Sequence, residues 1–338
     1  MRAVGYKIPL PIADEQSLIE IELPNPVATG CDLLVEIKAI SVNPADTKVR
    51  ASAHPEGDSW KVLGWDAAGI VVEAGPEATL FKPGDEVFYA SSITRPGTYA
   101  EFHLVDERIV GTKPASLGWA EAAALPLTAI TAWEALFDRL DVKGRFVPGA
   151  GQAILIIGGA GGVGSIAIQL ARRLTNLTVI ATASQPETAA WASALGAHHV
   201  VDHSRPLAPQ VAAVGLGAPA FVFSTTNTLD HLPDIVELIA PQGRLALIDD
   251  PAVLDIAPFK RKSVSVHWEF MFTRSMLGTA DIAEQGRLLN EVSRLVDADT
   301  IRTTLTGMLG AINATNLKRA HALIESGHTR GKIALEGF

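Results

Sequence analysis

A glycine-rich run between two apolar segments constrains the fold of this chain more than any other part of its sequence. Residues 153–157 read AILII, and residues 158–164 then read GGAGGVG. The first run predicts a buried strand, and the spacing of apolar residues over 166–174 predicts a helix. Glycines at a strand-to-helix turn let the backbone approach a pyrophosphate, which the free N–H groups at the helix start can bind. A tight turn in any α/β protein is the alternative, but a second apolar strand at 178–182 favours a dinucleotide-binding βαβ unit.

Composition and charge narrow the class of protein. The length of 338 residues predicts about two domains. The formal net charge of -9, with no basic run to offset it, argues against nucleic acid or an anionic membrane as a partner. The single cysteine, Cys31, excludes an intramolecular disulfide and a cysteine-rich metal site. We therefore expect a cytoplasmic protein that binds a small molecule.

The order of the predicted elements indicates the fold class. Short alternating segments separated by Gly and Pro, such as 18–23, 33–40, 64–72 and 86–90, suggest a partly open β-barrel in the first third. Residues 122–140 have helical spacing. Beyond them, strands alternate with helices. The strands are expected at 153–157, 178–182, 199–202, 221–224, 244–249 and 263–270. This alternation predicts a doubly wound parallel sheet, so the fold class is α/β.

Five ordered blocks resemble one known superfamily. They are 39–47 (AISVNPADT), 63–71 (LGWDAAGIV), 81–87 (FKPGDEV), 122–129 (AAALPLTA) and 158–164 (GGAGGVG). The chain resembles the zinc-free quinone oxidoreductases of the medium-chain dehydrogenase/reductases, and within them the branch named zinc-type alcohol dehydrogenase-like. The resemblance implies a GroES-like β-barrel domain at 1–127 and 271–338, with a Rossmann domain at 128–270. It also implies an active site in the cleft between them, and a homodimer that pairs its sixth strands.

The resemblance implies no bound metal. Asn43, Trp65 and Leu127 stand where the zinc alcohol dehydrogenases carry their ligands, and none of the three supplies a thiolate, imidazole or carboxylate. The cysteine-rich loop of the structural zinc is missing. Oxidation of an alcohol through a zinc-bound alkoxide is therefore not expected.

Three residues are the candidates for catalysis. The resemblance implies that Asn43 and Asp46 line the cleft, with Asn43 hydrogen-bonded to the acceptor oxygen. A turn before Pro44 is the alternative for Asn43, and a helix-capping or salt-bridged carboxylate is the alternative for Asp46. His54 follows this block where relatives often carry a tyrosine, and an imidazole can donate a proton near neutral pH. An exposed loop histidine is the alternative there.

The cofactor is expected to be NADP(H). An NAD site needs an acid about 20 residues after the glycines, and Ser184 and Gln185 stand there instead. No lysine or arginine completes a phosphate site, but Ser184, Gln185 and Thr188 can hydrogen-bond one. Further candidates come from the glycine turn and, by resemblance, from the other strand ends. The predicted cofactor residues are Thr128, Gly159, Ala160, Gly161, Gly162, Val163, Gly164, Ser184, Gln185, Thr188, Ser224, Thr225, Ile248 and Asp249.

Without a Lewis acid, hydride transfer needs an acceptor that is already electrophilic. The sequence therefore predicts a zinc-independent, NADPH-dependent reductase of quinones or α,β-unsaturated carbonyls, in which the protein supplies proximity and orientation. Two alternatives stay open. An enoyl-thioester reductase would need a positively charged entrance to its active site, to bind the phosphates of CoA or of a carrier protein. A non-catalytic NADPH sensor or interaction protein would share the fold, since fold does not decide function.

Overall fold

The computed structural model describes all 338 residues. The chain forms two compact units: residues Met1–Ile130 with Phe272–Phe338, and residues Thr131–Met271. The sixteen strands are β1 Arg2–Tyr6, β2 Ile19–Glu22, β3 Asp32–Val42, β4 Lys61–Val62, β5 Asp66–Ala74, β6 Glu86–Ala90, β7 Phe102–Asp106, β8 Val110–Thr112, β9 Gly151–Ile157, β10 Thr178–Thr182, β11 His199–Val201, β12 Pro219–Ser224, β13 Arg244–Leu247, β14 Ser265–Trp268, β15 Leu305–Met308 and β16 Lys332–Glu336. The ten α-helices are α1 Pro44–Ser52, α2 Trp119–Ala123, α3 Pro126–Trp133, α4 Gly162–Leu174, α5 Pro186–Ala194, α6 Leu207–Ala213, α7 Thr228–Leu238, α8 Thr273–Leu277, α9 Glu284–Asp297 and α10 Ala314–Glu325.

The first unit is built on a long central strand. Strand β3 has eleven residues and pairs antiparallel with β5, β7 and β16 in a seven-stranded sheet of order β15-β16-β3-β5-β6-β8. A smaller sheet has the order β2-β1-β4. The ends of β3 and β16 meet, with Ile333 opposite Val42. This register brings the first residues of β16 beside the residues that open α1.

The second unit is a parallel sheet of order β11-β10-β9-β12-β13-β14. This is the 3-2-1-4-5-6 order of a doubly wound dinucleotide-binding fold, which the sequence predicted. All six residues of β12 and the last five of β9 are buried, as expected for parallel strands covered by helices on both faces. On one face, alternate sheet residues such as Leu155 and Val222 form a continuous core with residues from α6 and α7. The reversal of strand order lies between β9 and β12, where β9 leads into the glycine turn.

The helix predicted at 122–140 is wrong as a single element. It divides into α2, α3 and a six-residue π-helix at Glu134–Arg139. Pro126 has no N–H for a continuing helix, so it ends the first segment and stands at the first position of α3.

No helix in the structure is both long and apolar enough to cross a membrane.

Candidate functional site

The glycine turn joins β9 to α4 through close backbone packing. Gly158 has a φ of +80°, a left-handed conformation that favours glycine. A Cβ on Gly164 would overlap the carbonyl oxygen of Gly158, and would lie 2.8 Å from the Cα of Gly159. Gly161 precedes α4 in an extended conformation, and a Cβ there would meet nothing closer than 3.5 Å. The turn is therefore closed on the side of Gly164 and open at Gly161.

Thr182 holds this turn against the neighbouring strand, a role that sequence reasoning missed. The N–H of Gly158 donates to the Thr182 hydroxyl at 3.0 Å, and the N–H of Gly159 donates to the Thr182 carbonyl at 3.0 Å. The same hydroxyl lies 3.1 Å from Nδ1 of His203, beyond the end of β11. The only sequence signal was the position of Thr182 at the end of a predicted strand. The turn fits a pyrophosphate, because there is free space at the start of α4 while Gly158 and Gly159 are held by hydrogen bonds to Thr182.

Three further predicted cofactor residues follow the carboxyl end of the neighbouring strand β10. Ser184, Gln185 and Thr188 follow β10, where the Thr188 hydroxyl donates to the Gln185 carbonyl at 2.9 Å. Ser184 is half-buried, and no acidic residue occupies its position at this strand end. Doubly wound sheets bind ligands at this carboxyl edge. Gly159, Ala160, Gly161, Gly162, Val163 and Gly164 belong to the turn or to the first residues of α4.

A hydroxyl and carboxylate network connects the ends of β12 and β13. The Ser224 hydroxyl lies 2.8 Å from that of Thr228, whose N–H and hydroxyl donate to Asp249 at 2.7 and 2.6 Å. The Thr225 hydroxyl donates to the carbonyl of Ile157 at 2.8 Å, next to the glycine turn. Ser224 and Asp249 thus fix the start of α7.

Two further cofactor candidates do not belong to this network. Ile248 is half-buried. Thr128 lies in the first unit, where its hydroxyl donates to the Leu125 carbonyl at 3.1 Å.

A buried carboxyl pair in the second unit was not predicted at all. Glu134 opens the π-helix, and Glu269 follows β14; both side chains are buried. Arg139 donates to Glu269 at 2.9 Å and lies 4.0 Å from Glu134. Burial, and then the neighbouring Glu134, raise the pKa of Glu269 to about 9. The pair therefore holds a proton at neutral pH that two isolated glutamates would release.

The three candidate catalytic residues are placed differently from one another in the first unit. Asn43 is buried: its Nδ2 donates to Asp66 at 2.9 Å and to the Ser41 carbonyl at 3.3 Å, and its Oδ1 accepts from Lys332. Asp46 is also buried, and its Oδ2 accepts from the N–H of Asn43 at 2.6 Å, so it caps the start of α1. His54 is exposed in the loop between α1 and β4. The structure thus brings Asn43 and Asp46 together and leaves His54 apart.

Burial shifts the pKa of the Asp46 carboxyl. Its Oδ1 has no hydrogen-bond partner, and burial raises its pKa to about 7, against the opposing effects of the Asn43 N–H and of Lys332. Burial, and then the Asp46 carboxyl, raise the pKa of Tyr99. The Tyr99 hydroxyl lies 3.2 Å from Nε2 of His321, whose pKa burial lowers to about 3. Asp46 is therefore a buried acid that titrates near neutrality.

Asp46→Asn is expected to stabilise the protein more at pH 8 than at pH 5. Because the pKa of Asp46 is raised from 3.8 to about 7 on folding, the unfolded chain binds fewer protons and stability falls as pH rises through this window. We expect a gain of about 1–2 kcal/mol at pH 8 in urea unfolding. Asp46→Ala is the control, since it removes the same charge but also the cap, at a cost of about 1 kcal/mol. Equal pH profiles for wild type and Asp46→Asn would contradict the prediction.

Two family models match different stretches of the chain. Residues 30–128 match the model described as an alcohol dehydrogenase GroES-like domain. Residues 162–289 match the model described as a zinc-binding dehydrogenase. The first match includes Asn43, Asp46 and Asp66, and the second begins at the first residue of α4.

One of two curated relatives matches over nearly the whole chain, and the other over about half of it. A zinc-type alcohol dehydrogenase-like protein of Staphylococcus aureus (strain MSSA476) is 37% identical over 99% of this chain and 99% of its own. The 2-methylene-furan-3-one reductase of Solanum lycopersicum is 38% identical over 51% of this chain and 45% of its own. These names describe the two proteins and not this one.

Solved structures share the fold closely. A protein of Rhizobium etli CFN 42 with the provisional name zinc-dependent alcohol dehydrogenase is 69% identical, with a TM-score of 0.98 over 100% of this chain and 98% of its own. The quinone oxidoreductase of Coxiella burnetii is 25% identical, with a TM-score of 0.81 over 100% of this chain and 99% of its own.

Proposed function

Because the chain belongs to the medium-chain dehydrogenase/reductase superfamily, within which it is an oxidoreductase with a GroES-like and a Rossmann domain, we propose that it is a zinc-independent, NADPH-dependent reductase of quinones or α,β-unsaturated carbonyls. The glycine turn carries this proposal. Its shape at Gly161 and the start of α4 suits a dinucleotide pyrophosphate. The carboxyl ends of β10 and β12 carry hydroxyl groups at this edge of the sheet, and the end of β13 carries Asp249. We infer that Ser184, Gln185 and Thr188 hold the adenosine end of the cofactor.

The acceptor class is proposed from chemistry and from what the relatives act on. A bound dihydronicotinamide supplies the hydride. The tomato relative is named for a substrate with a methylene group conjugated to a ketone, and the Coxiella protein is named for quinones. A ketone conjugated to a methylene group and a quinone are both electrophilic enough to accept hydride without a metal ion that polarises the carbonyl group. The protein then has to bind the acceptor, orient it and exclude water.

We propose separate roles for the three catalytic candidates. His54 is exposed and can donate the proton that an enolate or quinol oxygen needs. The carboxamide of Asn43 already bonds to Ser41, Asp66 and Lys332, so we propose that it positions the start of α1. Asp46 caps the same helix start and keeps it in register with the end of β3.

The test is oxidation of NADPH and of NADH, followed at the dihydronicotinamide absorbance, with a simple quinone and a simple enal as acceptors. We expect faster turnover with NADPH, unchanged by a chelator. Zinc-dependent oxidation of an alcohol would overturn the proposal. Binding of NADPH without turnover of any acceptor would favour a sensor, a reading that the internal bonding of Asn43 and Asp46 also allows.

Ser184→Asp is expected to reverse the cofactor preference. A carboxylate at this strand end accepts hydrogen bonds from a ribose 2′-hydroxyl and repels a 2′-phosphate. We expect NADPH affinity to fall about tenfold or more, which corresponds to about 1.4 kcal/mol, while NADH affinity holds or rises. Fluorescence titration of both cofactors measures this. Ser184→Asn, which has the same shape without the charge, is the control, and equal losses in both variants would count against the assignment.

A further inference from the structure

The family description and the residues of this chain disagree about zinc. The model matched by residues 162–289 is described as a zinc-binding dehydrogenase. Yet no three His, Cys, Asp or Glu side chains lie close enough together to hold a metal ion. Zinc needs four ligands, mostly nitrogen or sulfur, or three with a water. The donor set of this chain therefore does not fit zinc.

Oxygen atoms nevertheless converge on one buried cation, the ammonium group of Lys332. Its Nζ lies 3.0 Å from Oδ2 of Asp66 and 3.2 Å from the carbonyl oxygen of Val42, and it also donates to Oδ1 of Asn43. Lys332 is 3% exposed and Asp66 is 0% exposed. A carboxylate, an amide and a backbone carbonyl are the kinds of oxygen that bind hard cations in proteins. The site has the chemistry of a cation site, and a side chain fills it.

The hydrogen bonds around Asp66 require its ionised form. Oδ1 accepts from the N–H of Leu127 at 2.7 Å, and Oδ2 accepts from Asn43 and from Lys332. All three neighbours are donors, so a proton on Asp66 would have no acceptor among them. Burial raises the pKa of Asp66, while Lys332 and then the Asn43 amide and the Leu127 N–H oppose that rise. The ammonium and the carboxylate thus depend on each other for charge balance.

We propose that the Lys332 ammonium is the resident cation of this oxygen-lined site, so that the protein keeps the carboxylate buried and excludes a metal ion there. A buried ion pair whose partners are also hydrogen-bonded is strongly destabilised when only one partner is removed. Strand β16 carries Lys332 into the site, so this cation cannot dissociate in the folded protein. The inference concerns charge in the first unit and does not depend on the acceptor proposed above.

Chemical rescue of a truncated lysine tests the proposal directly. Lys332→Ala removes the ammonium and leaves space, whereas Lys332→Met removes the charge and keeps most of the volume. We expect ethylammonium chloride to raise the Tm of Lys332→Ala saturably, by about 4 °C. Wild type and Lys332→Met should not respond. Absence of rescue in folded Lys332→Ala would overturn the proposal.

Stability measured as a function of pH tests the proposal even if Lys332→Ala does not fold. Without its cation, Asp66 must bind a proton or be buried with an unpaired charge, so Lys332→Met should lose stability relative to wild type from pH 5 to pH 8. Lys332→Met with Asp66→Asn should lose that pH dependence. Lys332 lowers the pKa of the neighbouring Asp46 and Asp66 raises it, so every protein in this series, wild type included, also carries Asp46→Asn to remove that titration. A pH profile of Lys332→Met parallel to wild type would overturn the proposal.

Cobalt absorbance tests exclusion of a metal in the wild-type protein. Titrated with CoCl2 in place of zinc, wild type should show no d–d bands that depend on Asp66. Bands that appear in wild type and disappear in Asp66→Asn would mean that a metal displaces Lys332, which would overturn the proposal.

Discussion

Gly164→Ala is expected to weaken NADPH binding by about 100-fold or more, the largest effect that we expect from a single methyl group in this protein. The added Cβ would overlap the carbonyl oxygen of Gly158 and crowd the Cα of Gly159, and neither backbone atom belongs to a flexible side chain that could move aside. The turn must therefore shift, which misplaces the N–H groups at the start of α4. A loss of 100-fold corresponds to about 2.7 kcal/mol. Titration of cofactor fluorescence measures it.

The same turn provides a matched control for this prediction. Gly161→Ala adds a methyl group that meets nothing closer than 3.5 Å, and its backbone is extended, so the fold should be unaffected. We expect the Tm of Gly161→Ala to stay within about 2 °C of wild type, whereas that of Gly164→Ala falls by more. Gly164→Ala that binds NADPH as wild type does would show that the turn does not hold the cofactor.

Glu269→Gln is expected to stabilise the protein by about 2 kcal/mol at pH 8 and by less than about 0.5 kcal/mol at pH 5. The folded pKa of Glu269 is about 9, against 4.5 for an ordinary glutamate, because of burial and then Glu134. The folded state therefore holds a proton that the unfolded chain releases above pH 4.5, and stability falls as pH rises towards 9. A glutamine carbonyl can still accept from Arg139, and its amide can donate to Glu134.

Urea unfolding from pH 5 to pH 9 measures the effect of Glu269→Gln. Glu56→Gln is the control, since it makes the same chemical change on an exposed loop residue and should stay within about 0.5 kcal/mol at every pH. A wild-type profile that rises from pH 6 to pH 9 would contradict the raised pKa of Glu269.

The parts of the fold that could be predicted are those with local signals. The glycine turn and the alternation of strands and helices are visible within 30 residues, and both were predicted with the right type and order. The Lys332–Asp66 pair could not be predicted, because 266 residues separate its members and neither has an unusual neighbour in sequence. The pairing of Arg139 with Glu269, across 130 residues, was hidden for the same reason.

Two local features were not settled by sequence for a different reason. The apolar spacing continues through Pro126, so it suggested one helix where the missing N–H makes two segments and a π-helix. The Asn43-Pro44 pair suggested a turn as the alternative to a catalytic role for Asn43, and a helix cap was one alternative for Asp46. The structure has a helix start there, with proline at its first position and Asp46 accepting from the Asn43 N–H.

The position of β16 beside β3 has a consequence for how this protein is made. The Lys332 ammonium binds the carbonyl oxygen of Val42 across 290 residues. At a synthesis rate of about 5–20 residues per second, β3 and Asp66 leave the ribosome roughly 15–60 seconds before the strand and the charge that complete them. Residues 131–271 are synthesised within that interval and have their own core, so the second unit can finish folding first. Until β16 is synthesised, the nascent first unit has an open strand edge at β3 and an unpaired carboxylate at Asp66. A chaperone would protect the chain most during this period.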